Sequence, residues 1–308
     1  MATVVALGAA AQAQSPLRTP WGHPDLQGIW SNATLTPLER PDNVDKEYLT
    51  EAEAEEVNRT GMERTLAPIK FEVEASGELN EAYMELGQAV RSRRTSLVVD
   101  PPNGKVPYTP EGTKRRNLAI AQLLSLVPIN SWEDRSLAER CLLTGGLFVP
   151  NPFYLNNHQL FQTPDHVAIV SEVMNETRII PLDGRQRPAP GIKLWAGASR
   201  GHWEGETLVV ETTNYGPRGG MIATTPGLRL VERFTRVDAE TIDYEVTVTD
   251  PALYTQPWTF ANTLRAIEGP IYEYACHEGN YSLVNILAGA RAQEKARKQE
   301  KGQQKTTD

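Results

Sequence analysis

The second half of the chain consists of short stretches in which apolar and polar residues alternate, and this pattern constrains the fold most. Residues 242–249 read Ile-Asp-Tyr-Glu-Val-Thr-Val-Thr, with an apolar residue at every second position. Such alternation is typical of a β-strand with one buried and one solvated face. Seven further segments are predicted strands: His158–Thr163, Val167–Val173, Thr177–Pro181, Leu208–Thr213, Arg229–Val237, Trp258–Ile267 and Ile271–His277.

Eight strands at short spacing predict a mainly β fold, either a closed barrel or a sandwich. We expect an antiparallel barrel over residues 148–287. Residues 15–147 should form an N-terminal arm with helical segments that pack on the barrel. Residues 288–308 are rich in Lys, Gln and Glu and predict a polar tail that begins as a helix and becomes disordered.

Helix signals in the arm are local and specific. Thr50 and Glu53 form a capping box, which predicts a helix that begins at Thr50. Pro110 follows an N-cap threonine and predicts a second helix to about Leu126. A third short helix is expected over Ser131–Leu143, and residues 95–100 are predicted to form a strand.

Charge and the N-terminal residues bear on where the protein works. The chain has 31 Lys and Arg against 39 Asp and Glu, a net charge of −8, which argues against a nucleic-acid binder. Residues 1–14 are small and apolar and contain an Ala-Gln-Ala signal-peptidase pattern, but no basic residue precedes them. Either the start codon is placed too late, or these residues are the remnant of a longer leader. No apolar run is long enough to span a bilayer, so we expect a periplasmic or secreted protein.

The two cysteines, Cys141 and Cys276, form an even pair in a chain predicted to be exported. One disulfide is therefore expected, and two separately buried thiols are the alternative. Zinc binding through these cysteines is not expected, because neither has a second ligand at the required spacing.

The densest group of polar residues lies at 269–281. If Glu268 and Gly269 close a two-residue hairpin turn, Trp258–Ile267 pairs with Ile271–His277, and Asn262, Glu273 and His277 share one largely apolar face. A buried carboxylate and imidazole are costly without partners, and only alanine separates the two along this face. Glu273 and His277 are therefore candidate catalytic residues. The alternative is a solvated or structural pair.

A second motif, Arg-Gly-His-Trp-Glu-Gly, occupies residues 200–205. His202 and Glu204 are two positions apart, so they share a face of a strand. We predict a catalytic role for His202 in acid–base chemistry and a substrate-binding role for Glu204. The alternative is that Glu204 is exposed in a hairpin turn formed with Gly205 and Glu206.

Other polar side chains lie near predicted strand ends, where they can reach a bound molecule. The predicted substrate-binding residues, besides Glu204, are Asn262, Tyr154, Arg178, Asn157 and His158. For Arg178, an ion pair at a strand end is the alternative.

The chain is similar over nearly its full length to a large family of exported proteins from soil and environmental bacteria. The segments that carry this resemblance are Pro24–Trp30, Arg94–Gly104, Arg178–Gly184, Arg200–Gly205 and Tyr272–Tyr281. No activity is settled for the family, so the resemblance implies export and transfers no catalytic residue. Gly-Ile-Trp at residues 28–30 also resembles the Gly-x-Trp signature of lipocalin and other calycin barrels, which implies a ligand-binding barrel.

Several reaction classes lack their signatures. The sequence has no Gly-x-Ser-x-Gly elbow, phosphate-binding loop, His-Glu-x-x-His motif or dinucleotide fingerprint. We therefore expect a monomeric or homodimeric enzyme, a lyase, isomerase or hydrolase, that uses acid–base chemistry on a carbohydrate or plant-derived aromatic. The alternatives are a calycin-type binding protein for a hydrophobic ligand or haem, and a structural module of the cell envelope. The sequence predicts no metal and leaves the cofactor open.

Overall fold

A computed structural model describes residues 17–66, 87–123, 129–143, 148, 156–216 and 225–304. The chain is mainly β: ten antiparallel strands form one sheet that is nearly closed into a barrel. The mainly β barrel expected from the alternating sequence is thus confirmed. The predicted leader at residues 1–14 lies outside the described residues.

The strands follow one another around the barrel with few long connections. They are β1 (Gly28–Ser31), β2 (Val98–Asp100), β3 (Asn157–Gln162), β4 (His166–Ser171), β5 (Thr177–Pro181), β6 (Ala198–Glu204), β7 (Thr207–Thr213), β8 (Arg229–Arg236), β9 (Thr241–Thr249) and β10 (Trp258–Ala266). Their order in the sheet is β5-β4-β3-β1-β10-β9-β8-β7-β6, and β2 also pairs with β10. The sheet therefore takes two strands from the N-terminal arm.

The two outermost strands, β5 and β6, close the barrel by packing against each other. Gly201 of β6 faces β5 across this seam. A Cβ atom at Gly201 would lie 2.6 Å from Leu182 Cδ2 and 3.0 Å from Ile180 Cγ2. A larger residue would force the strands apart, so this glycine allows the barrel wall to close.

One end of the barrel is sealed by the segment that leads into β1. Leu26 is fully buried, and the Trp30 indole donates a hydrogen bond to the Leu26 carbonyl oxygen at 2.9 Å. The Gln162 side chain accepts a hydrogen bond from the Leu26 amide at 3.0 Å. The Arg236 guanidinium lies 5.5 Å from the centroid of the Trp30 ring. These contacts hold the segment against β3 and β8.

Within the described ranges, three α-helices lie outside the barrel: α1 (Glu51–Leu66), α2 (Pro110–Leu123) and α3 (Tyr281–Gln304). The capping box is confirmed, because the Glu53 carboxylate accepts a hydrogen bond from the Thr50 amide at 2.8 Å. The helix predicted over Ser131–Leu143 is wrong: only Trp132–Asp134 form a helical turn, of 3₁₀ type, and turns follow. None of the described helices is long and apolar enough to cross a membrane.

The predicted hairpin between Trp258–Ile267 and Ile271–His277 is also wrong. Residues 271–277 form no strand. Strand β10 instead pairs with β9 on one side and with β1 and β2 on the other. Both edges of β10 are therefore occupied, one by the preceding strand β9 and the other by β1 and β2, which are distant along the chain.

Residues 271–280, which we call the strap, run across the outside of the barrel. The Tyr272 amide donates a hydrogen bond to the Glu172 carboxylate, and the Tyr274 amide donates one to the Asn175 side-chain oxygen, both at 3.3 Å. A disulfide joins Cys276 to Cys141. The predicted disulfide is thus confirmed, but it connects a turn to the strap rather than a helix to a barrel strand.

Reduction of the disulfide should release the strap before the barrel unfolds, because few buried apolar groups hold this segment. We expect faster amide hydrogen exchange in residues 269–280 and 137–143 after reduction, with exchange in β7–β10 unchanged. Hydrogen-exchange mass spectrometry with and without reductant measures this. Equal acceleration in the sheet would mean that the disulfide supports the whole barrel.

Candidate functional site

Polar side chains inside the barrel concentrate near the C-terminal end of β1. We call the following buried residues the polar cluster: Asn32, His158, Ser171, Arg178, Glu232, Tyr244 and Asn262. Four of them lie where β1 and β4 end and where β3 and β5 begin. We call this end of the barrel the polar end, and it is the candidate site.

An ion pair crosses the interior of this end. Arg178 on β5 donates two hydrogen bonds to the Glu232 carboxylate on β8, at 3.0 and 2.5 Å. The Tyr244 hydroxyl donates a third to Glu232 at 2.9 Å. The Glu232 side chain has no exposed surface. Three strands are therefore tied together by one buried carboxylate.

The interior environment keeps these groups in defined protonation states. Burial alone would lower the pKa of Arg178, but the charge of Glu232 and the hydrogen bonds to it raise that pKa above its usual value. Burial, and then the negative charge of Glu232, raise the pKa of Tyr244 well above its usual value. Near neutral pH the guanidinium is charged and the phenol keeps its proton.

His158 on β3 is the buried imidazole of the polar cluster. Its Nδ1 atom lies 2.9 Å from the Ser171 hydroxyl, and its Nε2 atom lies 3.4 Å from Asn32 Oδ1. An amide oxygen only accepts hydrogen bonds, so we assign the ring hydrogen to Nε2, and the Nδ1 lone pair accepts a hydrogen bond from the Ser171 hydroxyl. Burial, and then the charge of Arg178, lower the pKa of His158 to about 3. The imidazole is therefore uncharged near neutral pH.

The ring of Phe148 contacts both the imidazole and the phenol. Its centroid is 4.1 Å from that of His158 and 5.0 Å from that of Tyr244, with both contacts edge-to-face. Phe148 is fully buried. One aromatic side chain thus contacts both a neutral base and a protonated phenol.

Amides extend the network to the neighbouring strands. Asn262 on β10 donates a hydrogen bond to the Asn32 carbonyl oxygen at 2.8 Å. Asn157, beside His158, donates one to the Glu172 carboxylate at 2.8 Å. Glu172 also accepts from the strap, so it joins the rim of this end to the segment outside it.

Three residues predicted to bind substrate, His158, Arg178 and Asn262, are brought together inside the barrel. Their side chains bond to other groups of the protein, so direct contact with a substrate stays a prediction. The ion-pair alternative for Arg178 is present as a bidentate contact with Glu232. Tyr154 lies outside the described residues.

His202 and Glu204 share the outer face of β6, as their spacing predicts. His202 Nε2 lies 3.1 Å from a Glu204 carboxylate oxygen, and Arg233 donates to the other oxygen at 2.9 Å. Both side chains are about half exposed. The hydrogen bonds from His202 and Arg233 lower the pKa of Glu204. This group lies on the outside of the wall, away from the polar cluster.

Glu273 and His277 are exposed residues of the strap. The interior face that was expected to hold them with Asn262 does not exist, because residues 271–277 do not pair with β10. Asn262 faces inward without them. Their catalytic roles stay a prediction without this geometric support.

Sequence reasoning missed Glu232, Tyr244, Ser171 and Asn32 as site residues. Glu232 could have been recognised from the sequence. It occupies one of the alternate positions of β8 that face inward, between the apolar residues Leu230 and Phe234. A carboxylate on the buried face of a strand needs a charged or hydrogen-bonded partner. The partner, Arg178, lies on a strand that only the closure of the barrel brings near.

No protein-family model matches the chain, and no curated protein matches its sequence. The resemblances to a family of exported bacterial proteins and to calycin barrels therefore stay predictions.

Removal of one member of the buried ion pair should destabilise the protein strongly. We expect Glu232→Leu and Arg178→Met each to lower the free energy of unfolding by about 3–5 kcal/mol, because each takes away one partner of a buried charge. The double variant Arg178→Met/Glu232→Leu should recover much of this loss. Urea denaturation measures the values. In the matched exposed pair, Arg229→Gln should cost about 0–1 kcal/mol.

If the double variant is as unstable as the single variants, the pair does not act as a unit. The stability of the barrel end would then depend on each side chain separately.

The native protein should lose stability as the pH is lowered, because the buried His158 resists protonation. The unfolded imidazole binds a proton below about pH 6.5, whereas the native one does so only below about pH 3. Native stability is therefore lost as the pH falls through this window. Between pH 7 and 4.5 we expect the wild type to lose about 2 kcal/mol more than His158→Gln. Urea denaturation at both pH values tests this.

His202→Gln, which changes an exposed imidazole, is the matched control and should keep the wild-type slope. Equal slopes for wild type and His158→Gln would show that His158 titrates normally in the native protein.

Proposed function

We propose that the protein is an enzyme that acts on a small, ring-sized organic molecule by general acid–base chemistry at the polar end of the barrel. One observation carries the proposal: the Phe148 ring contacts both the imidazole of His158 and the phenol of Tyr244. A substrate ring in place of the Phe148 ring would contact a base on one side and an acid on the other.

The two groups have protonation states that suit these roles. His158 is uncharged near neutral pH, and its Nδ1 lone pair can accept a proton. Tyr244 keeps its proton, which it can share with a substrate oxygen. Proton removal at one position and proton donation at another are the steps of a lyase or an isomerase. Such a reaction fits this pair better than hydrolysis, which also needs a positioned water.

Arg178 and Glu232 position the acid. The Tyr244 hydroxyl donates to Glu232, and Arg178 holds that carboxylate through two hydrogen bonds. After the proton has moved, the phenolate has no hydrogen to donate, and the positive charge of Arg178 offsets its negative charge until Tyr244 takes up a proton again. Phe148 must leave the space for a substrate to enter, so we propose that this side chain acts as a plug.

The size of the plug supports a carbohydrate or a plant-derived aromatic as substrate, since both contain six-membered rings. The buried ion pair disfavours the alternative of a carrier for a hydrophobic ligand or haem, because an apolar ligand at this end would leave polar groups without partners. A periplasmic or secreted location is supported by the disulfide between Cys141 and Cys276.

The proposal predicts activity that depends on His158 and Tyr244. Purified protein is incubated with monosaccharides, galacturonate, methyl glucosides and ferulate, and consumption is followed by NMR. For any compound turned over, His158→Gln and Tyr244→Phe should lower kcat/KM at least about 100-fold. His202→Gln is the control and should retain activity.

Glu273→Gln and His277→Gln test the competing assignment to the strap. Loss of activity in these variants, with His158→Gln active, would place the chemistry outside the barrel. Phe148→Ala tests the plug without a known substrate, because it should open a cavity that binds phenol. A Soret band in the purified protein, or tight binding of a fatty acid without turnover, would favour the carrier.

A further inference from the structure

The outer face of the sheet carries two rows of polar side chains that the barrel interior does not use. The strand register sets each row across β6, β7, β8, β9 and β10. The first row contains His202, Val209, Arg233, Glu245 and Ala261, and the second contains Glu204, Thr207, Thr235, Asp243 and Thr263. The predicted His202–Glu204 pair is thus the start of a longer polar surface.

Residues 90–92 turn the far end of this surface into a groove. They lie over β8, β9 and β10 and enclose a volume of about 550 Å³, lined mainly by Arg91, Arg233, Thr235, Asp243, Glu245 and Thr263. This volume lies within the range of about 300–1,000 Å³ that is usual for small-molecule sites. Tyr244 and Asn262 also line the groove, but their side-chain hydrogen bonds lie inside the barrel.

Charges in the groove occur in equal numbers of both signs. Arg91 pairs with Asp243 at 3.0 Å, and Arg233 pairs with Glu204 at 2.9 Å. These pairs anchor the side chains at the two sides of the groove. An anion or a cation would meet groups of both signs, so the groove offers little net attraction to an ion. The described residues include no group of three or more side chains suited to hold a metal ion.

Glu245 is a hydrogen-bond acceptor that these ion pairs leave available to a ligand. It lies between Arg233 and Ala261 in its row, and among the described residues its carboxylate makes no hydrogen bond or ion pair. The Thr235 hydroxyl, in the next row, bonds to Thr207 at 2.8 Å. The groove thus presents a carboxylate beside guanidinium donors and hydroxyl groups.

We propose that this groove binds a neutral, hydroxyl-rich ligand, namely a short saccharide. Each sugar hydroxyl both donates and accepts hydrogen bonds, so neighbouring hydroxyls can donate to Glu245 and accept from Arg233 or Arg91. A neutral ligand also loses less solvation energy on binding than an ion. The volume fits one or two sugar rings. This site lies on the outside of the wall and does not depend on the proposed function.

Titration of isotope-labelled protein with cellobiose, followed by two-dimensional NMR, tests the proposal. We expect shifts that map to residues 90–92, 233–235, 243–245 and 261–263. Glu245→Gln and Arg233→Gln should weaken binding at least about five-fold, the loss expected for one hydrogen bond. Glu211→Gln, on the outer face of β7 and paired with Arg229, is the matched control and should bind as the wild type does. Melting temperatures show whether the variants remain folded.

Glucuronate and glucosamine separate a saccharide site from an ion site. Both should bind no more than a few-fold better or worse than cellobiose. The proposal is overturned if neither cellobiose nor glucose shifts these resonances, if the shifts map elsewhere, or if one charged sugar binds at least about ten-fold more tightly than cellobiose.

Discussion

The buried ion pair between Arg178 and Glu232 is the interaction on which the barrel interior depends. A charge without a partner in this apolar space would cost several kcal/mol, so each residue requires the other. The pair also fixes the distance between β5 and β8. Around the wall, these two strands are connected through β7, β6 and the seam at Gly201. The same carboxylate holds the Tyr244 hydroxyl, and the guanidinium charge helps to keep His158 neutral. The same ion pair therefore sets both the spacing of these strands and the protonation states of Tyr244 and His158.

The barrel strands could be predicted from sequence because each signal is local. Alternation located β3, β4, β5, β7, β8, β9 and β10 to within a few residues, and the capping box of α1 lies where Thr50 and Glu53 predict it. Pairing is a different kind of information. Residues 271–277 also alternate, but β1 and β2 occupy the edge of β10 with which they would have to pair. The sequence near residue 268 contains no information about those distant strands.

The candidate site was predictable in part for the same reason. His158, Arg178 and Asn262 stand at strand positions that face inward, so parity and strand ends were enough to select them. Their partners come from strands that are neighbours only in the closed barrel. Glu232 is visible in the sequence as an acidic residue at an apolar position, but its link to Arg178 across the interior is not. Glu273 and His277 show the reverse case, in which a pattern typical of a strand face belongs to an exposed strap.

The pairing of β1 with β10 has a consequence for how the chain can fold. Trp30 pairs with Ala266, so strands from nearly opposite ends of the described chain lie side by side in the wall. Contacts between residues far apart in sequence form slowly, because a long loop must close first. A chain delivered from its N-terminus across a membrane or from a ribosome would hold β1 without its β10 neighbour until almost all of it had emerged. Completion of the wall is therefore a late event, and the polar end of the barrel exists only after the last strand has arrived.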